Sequence, residues 1–187
     1  MSQREEVDRR RIEQFLNALG QRFTRPGRIY LVGGTTLVWE GLRSQTIDVD
    51  LAFDISPEDT DEFTRAVRML KQELAINVEE VSPGDFIPLP AGYRERSLFI
   101  GRFGSLEVFH FDLYSTALSK IERGRDEDLS DVLALLRGRR IDMAQLVACF
   151  EDILPRVETH SLKGDPIEFS RKFETLRLMW RETSKNG

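Results

Sequence analysis

The stretch YLVGGTTLVWEGLRSQTIDVDLAFD, residues 30–54, decides how the rest of the chain is read. It opens inside the apolar, β-branched run from Ile29 to Val32, which predicts a short buried strand ending at Gly33-Gly34. Thr35 to Leu42 then carries a helical pattern that closes near Gly41. Residues 47–53 return as a strand whose first five positions alternate strictly, so Ile47, Val49 and Leu51 face one side and Asp48 and Asp50 the other. A strand that ends in two glycines and turns into a helix offers backbone N–H groups and the positive end of the helix dipole to an anion. Glycine lets a phosphate approach the backbone, and the Thr35 and Thr36 hydroxyls are placed to add hydrogen bonds. The Asp48 and Asp50 carboxylates stand about 7 Å apart along one face of their strand. That pair suits one or two Mg²⁺ held between protein and triphosphate, because magnesium takes oxygen ligands and usually only one or two carboxylates plus substrate phosphates. Two such ions clamp the attacking and leaving oxygens of an in-line displacement. A Gly-Gly turn alone is commonly just a tight turn, and Asp-x-Asp alone is commonly the wet face of a strand. Their order within one segment is what points to a phosphate and metal site.

Outward from this segment, residues 4–19 place Val7, Ile12, Phe15, Leu16 and Leu19 at near-helical spacing, with Gly20 as a stop. Ser56-Pro57-Glu58-Asp59 reads as a capped helix start, and the helix runs to about Leu74. Ile76 to Val81 is a further strand with Ile76 and Val78 inward and Asn77 and Glu79 outward, followed by a Pro- and Gly-rich loop from Ser82 to Gly92. Residues 97–102 and 106–113, joined around Gly104, read as a hairpin carrying His110 as a partly buried strand residue. From Ser115 onward the pattern is helical over 115–123, 126–137, 142–153 and 166–181, with breaks at Gly124, Gly138 and Pro155. The expected fold class is therefore α/β (α+β): a small mixed sheet flanked by helices over residues 1–113, then a helical C-terminal region over 114–187 packed on that core.

Composition bounds the function. At 187 residues the chain has room for roughly one domain with a helical extension. Its 40% hydrophobic and 32% charged residues exclude wholesale disorder. No apolar run approaches the roughly 20 residues of a membrane span, and the charged start Met1-Ser2-Gln3-Arg4-Glu5-Glu6 lacks the apolar stretch of a signal peptide. These features read as a soluble cytoplasmic protein without a membrane partner. Cys149 is the sole cysteine, which excludes an internal disulfide and a thiolate zinc cluster, and His110 and His160 are too few for a histidine metal site. Residues 1–112 carry 14 Lys plus Arg against 19 Asp plus Glu, so the net charge of −5 lies wholly in the first part. An acidic chain is a poor non-specific binder of duplex DNA, whose affinity comes from neutralising phosphates. The cations are 22 Arg to 5 Lys, which keeps a local RNA or nucleotide contact open, beside the plainer reading of base composition. Arg137, Arg139 and Arg140 cluster at a helix break, as an RNA-backbone contact or as favourable charge at a helix C-terminus.

The segment Val32-Gly33-Gly34 followed by Asp48-Val49-Asp50 resembles the nucleotidyltransferase fold of the DNA polymerase beta superfamily. More narrowly, GGTTLVWEGLRSQTIDVDL is similar to the AbiEii-type, toxin-like branch, with Thr36 where that branch usually has Ala. A downstream motif of that branch matches Lys120, Arg123, Arg125, Asp128 and Asp131 in SKIERGRDEDLSDV. The resemblance implies an NTP substrate, Mg²⁺ with Mn²⁺ as the alternative ion, and transfer of a nucleoside monophosphate to a hydroxyl on a tRNA 3′ end or a protein. It also implies a toxin with a separately encoded antitoxin as partner. It assigns metal binding to Asp48 and Asp50 and the phosphate cradle to Gly33, Gly34 and Thr35. A third carboxylate, metal ligand or base, comes from the next strand, where Glu79 is the choice; Asp112, at the end of a later strand, is the runner-up. Lys120, with Arg123 or Arg125 beside it, meets a nucleotide phosphate or else pairs along its own helix with Glu122 to Glu127. Asp128 and Asp131 share a helix face and either orient Lys120 or Arg125 or simply charge a helix start. The alternative function is a catalytically silent module of the same fold that binds nucleotide, RNA or protein. The plainest is a structural α/β domain in which Asp48 and Asp50 are only solvated.

Overall fold

The computed structural model describes residues 6–160 and 164–185. They form two compact units, one comprising residues up to Ser82 together with Ser97–Phe111, the other Pro83–Arg96 together with the chain from Asp112 onward.

The first unit is built on a five-stranded mixed sheet. Its strands are Gly27–Leu31 (β1), Asp48–Ile55 (β2), Asn77–Glu80 (β3), Leu98–Phe103 (β4) and Leu106–His110 (β5), in the order β3-β2-β1-β5-β4. β1 runs antiparallel to β2 and parallel to β5, β2 is parallel to β3, and β4 and β5 form an antiparallel hairpin. Three helices accompany the sheet, Arg9–Arg22 (α1), Gly33–Trp39 (α2) and Thr60–Glu73 (α3). α3 supplies the crossover that a parallel β2–β3 pair requires. α1 turns Ile12, Phe15, Leu16 and Leu19 toward the core and α3 turns Phe63, Ala66 and Leu70, at helical spacing. They bury Ile29, Leu31, Val49, Leu51, Val78, Leu106 and Val108 from alternate strand positions in one cluster. Each such side chain contributes about 1.5–3 kcal/mol by leaving water. The intervening positions carry Asp48 and Asp50 of β2, Asn77 and Glu79 of β3, Tyr30 of β1 and Phe109 of β5 on the other face. There the Tyr30 and Phe109 rings stack at 5.6 Å.

Several expected boundaries move, for identifiable reasons. Within the expected 4–19 helix, residues 4 and 5 lie outside the described residues. α1 begins only after Asp8, whose carboxylate accepts from Arg11 N–H at 2.8 Å, and Val7 instead bridges Thr46. Gly20 is no stop; it lies inside α1, where a Cβ would sit 2.3 Å from the Phe103 carbonyl oxygen, so the glycine permits helix and strand to touch. Ile47 is 53% exposed because it precedes β2, so the alternation that buries Val49 and Leu51 does not reach it. The strand expected over 106–113 ends at His110, since the Asp112 carboxylate accepts from Tyr114 N and Ser115 N and opens a helix.

The second unit is helical: Leu113–Arg123 (α4), Asp126–Arg137 (α5), Met143–Ile153 (α6), Val157–His160 (α7) and Pro166–Lys185 (α8). The four helices read from the sequence are present, and the single-turn α7 is additional. Leu118 and Ile121 of α4, Val132 and Leu136 of α5, Cys149 and Phe150 of α6, and Phe169 and Phe173 of α8 are buried. Phe150 stacks on Phe173 at 4.0 Å and meets Phe169 edge-on at 5.0 Å. Among the described residues no helix is long and apolar enough to cross a membrane.

Candidate active site

The site grows from the turn between β1 and α2. Val32, the N-cap of α2, donates its N–H to Asp50 O at 3.2 Å and has no side-chain acceptor for the first turn of that helix. Gly33 follows with φ +54°, in the left-handed region that a side chain disfavours. A Cβ on Gly33 would lie 2.5 Å from Asp50 Oδ2, so the Asp50 carboxylate rests directly against the glycine Cα. Gly34 is equally tight, because a Cβ there would meet Thr46 Oγ1 at 2.6 Å. The fully buried Thr35 accepts from Asp50 N–H through its hydroxyl at 2.7 Å and lies 3.4 Å from Asp48 O. The Thr35 side chain thus stitches the glycine turn to the strand that carries both carboxylates, and any contact with an anion falls to its backbone.

Asp48 and Asp50 are half-buried on β2, in register with Asn77 and Glu79 of β3. Asn77 Nδ2 donates to Asp48 Oδ1 at 2.7 Å and to Glu79 Oε1 at 3.0 Å. One neutral amide therefore gathers two carboxylates that would otherwise repel, leaving Glu79 exposed at the rim. Asn77 is a site residue that lies outside the sequence motifs. The strand alternation already set it outward beside Glu79, and only the β2–β3 register brings it opposite Asp48. Among the described residues no group of three or more His, Cys, Asp or Glu side chains is placed to hold a metal ion. The donor set instead fits a hard cation that takes two carboxylates and draws its remaining oxygen ligands from a bound phosphate.

Beneath the turn lies a polar cluster that the sequence did not announce. Thr36 is fully buried, its Oγ1 lies 3.3 Å from His110 Nδ1, and His110 Nε2 lies 2.8 Å from Glu40 Oε1. His110, 3% exposed, thus ties the end of β5 to the middle of α2 at Thr36 and to its C-cap at Glu40.

The remaining candidates belong to the second unit. Lys120 is 4% exposed and donates to Asp131 Oδ2 at 2.7 Å and Asp128 Oδ1 at 3.4 Å. Arg123 Nη2 donates to the same Asp128 oxygen at 2.5 Å, and its guanidinium stands 5.7 Å from the Phe86 ring centroid. Asp128, in the first turn of α5, and Asp131 thus both accept from Lys120 of α4. Asp128 Oδ2 is buried with no hydrogen-bond partner among the described residues. Arg125 is exposed at the N-cap of α5. Asp112 is fully buried and accepts from Arg96 Nε at 3.0 Å, Arg96 Nη2 at 2.9 Å and Ser115 Oγ at 2.7 Å besides its two capping bonds. The Arg96 guanidinium is pushed above its ordinary range chiefly by those hydrogen bonds. Both oxygens of Asp112 are thus engaged in capping and ion pairing.

Across residues 10–185 the chain matches a family described as a nucleotidyltransferase of unknown function, DUF6036. No curated protein and no solved structure matches it.

Proposed function

Because this chain belongs to the DUF6036 family of nucleotidyltransferases, we propose that it moves a nucleoside monophosphate from an NTP to a hydroxyl acceptor and releases pyrophosphate. The observation that carries the reading is the Asp50 carboxylate seated on the Cα of Gly33, which joins the acidic strand to the glycine turn within one small volume. In this scheme Gly33, Gly34 and the Thr35 backbone hold the phosphates. Asp48 and Asp50 hold Mg²⁺ or Mn²⁺, which would neutralise the triphosphate and polarise its phosphorus. The acceptor oxygen bonds to the α-phosphorus as the bond to the bridging oxygen breaks, pyrophosphate departs, and the hydroxyl proton passes to a carboxylate. Glu79, opposite Asp50 on β3, is the base we assign. Catalysis of this type is positioning and charge neutralisation.

The narrower setting that we propose takes the AbiEii-like motif as its support: a cytoplasmic toxin with a cognate antitoxin. A second reading, the catalytically silent binding module, is favoured by the lack of a three-carboxylate group among the described residues. Label transfer separates the two. Each of the four α-labelled NTPs is offered with Mg²⁺, to total tRNA and to total protein, with wild type and with Asp48→Asn plus Asp50→Asn. Transfer that the double variant loses supports the enzyme; no transfer to either acceptor sinks it and leaves the module.

A further inference from the structure

We propose that Asn77 is a positioning residue of the acidic site: its amide orients Asp48 toward a cation and holds Glu79 outside the coordination sphere, as the group that takes the acceptor proton. The assignment rests on the nucleotidyl-transfer reading and decides between the two roles open to a third carboxylate, metal ligand or base. β2 and β3 run parallel, with Asp48 opposite Asn77 and Asp50 opposite Glu79, so four polar side chains share one patch of the sheet face. Three of the four are acids on strands about 4.8 Å apart, and carboxylates at that spacing repel. Asn77 is the neutral member and donates to Asp48 Oδ1 at 2.7 Å and to Glu79 Oε1 at 3.0 Å.

The residue type is what the position requires. A side-chain amide carries two N–H donors on one nitrogen. Both neighbours, as ionised carboxylates, accept without donating, so the nitrogen must face them and the amide oxygen must face away. Lysine or arginine at this position would neutralise Asp48 outright and compete with a cation for it. Aspartate would add a fourth carboxylate to the patch, and leucine would supply no donor. The two bonds have different consequences. On Asp48 the bond fixes one oxygen and with it the orientation of the carboxylate, as the hydrogen-bond partners of metal ligands do. On Glu79 it draws the carboxylate along its own strand toward Asn77 and away from Asp50, its cross-strand neighbour. Among the described residues no three acidic side chains are placed to hold an ion together, and Glu79 is exposed at the rim, where an incoming hydroxyl can reach it.

Mn²⁺ is titrated into the full chain without NTP, and binding is read from the loss of the free-ion electron paramagnetic resonance signal, at a temperature well below the melting point of each variant. Label transfer is measured alongside. Saturable binding is expected in the wild type. Asn77→Ala should weaken it by about tenfold, the lower end for a partner that orients a metal ligand. Asn77→Ser, which keeps a single donor, should fall between the two. Asp48→Asn should cost more than the roughly 100-fold that bounds such orienting effects. Glu79→Gln should abolish label transfer and change Mn²⁺ affinity by a few-fold at most. With Asn77→Ala already in place the tether is gone, and Glu79→Gln should then weaken Mn²⁺ binding by clearly more than it does in the wild-type chain. A strand-pairing residue without a role in the site would lower the melting temperature and leave all these affinities alone. That result overturns the proposal, and so does a Glu79→Gln loss as large as that of Asp48→Asn, which would make Glu79 a ligand. Either outcome leaves nucleotidyl transfer standing as long as Asp48→Asn still removes the ion. Mn²⁺ binding that Asp48→Asn does not weaken, or no saturable binding at all, overturns the proposal together with the reading on which it rests.

Discussion

Gly33 shows how one residue sets the terms for its neighbours. Its positive φ places the α2 turn where the Asp50 carboxylate can lie against a bare Cα. Gly33→Ala forces a Cβ to within 2.5 Å of Asp50 Oδ2 in a conformation that alanine resists. We expect a loss of about 1–2 kcal/mol from the left-handed backbone alone, read by urea unfolding, and a stabilising effect of NTP with Mg²⁺ that disappears. Unaltered ligand stabilisation in Gly33→Ala would show that the carboxylate does not need the glycine. Asn77 acts at the same scale, since its amide lets Asp48 and Glu79 share one patch. The sequence placed it on the same face as Glu79, two residues along its own strand, but its Asp48 acceptor is set by the pairing of β2 with β3, 29 residues away in sequence.

At the scale of elements, caps decide where the helices start. Asp112 and Asp142 open α4 and α6; the sequence pattern starts the second of these helices at Asp142 but sets Asp112 at the end of a strand. The Gln145 backbone N–H and then the Tyr114 hydroxyl hold the Asp142 carboxyl below the usual carboxylate range. A carboxyl held low by folding contributes its full stability above the unfolded value, about 3.9, and loses it as pH falls through the folded value. Asp142→Ala should therefore lower unfolding free energy by about 1 kcal/mol at neutral pH, as the loss of an N-cap does. The difference from wild type should shrink once the pH passes below about 3.9, when paired denaturation curves at neutral and acid pH are compared. A difference that persists undiminished in acid would assign the effect to packing rather than to the charged cap.

For the whole molecule, the test of function is linkage. A ligand that binds only the folded state at 100 times its dissociation constant stabilises by about 2.7 kcal/mol, and each kcal/mol moves the midpoint by roughly 2–4 °C at this size. NTP and Mg²⁺ together should raise the melting temperature by several degrees, either alone by less, and Asp48→Asn with Asp50→Asn should abolish the rise. No rise at saturating NTP and Mg²⁺ would leave Asp48 and Asp50 as solvated strand residues.

What the sequence determined by itself is whatever depends on near neighbours along the chain. Alternation placed Asp48 and Asp50 on one face and Val49 and Leu51 on the other, the Ser56-Pro57-Glu58-Asp59 start announced the helix that becomes α3, and Gly33-Gly34 marked the turn. Only the tertiary structure decided the interactions between residues far apart. It set Asp50 against Gly33, linked Asp48 to Glu79 through Asn77, buried His110 between Thr36 and Glu40, and engaged Asp112 with Arg96. It also made Gly20 a contact surface for β4 instead of a helix stop. The physical reason is that periodicity reports which side of an element a residue faces, while the identity of the partner depends on strand order, register and helix packing.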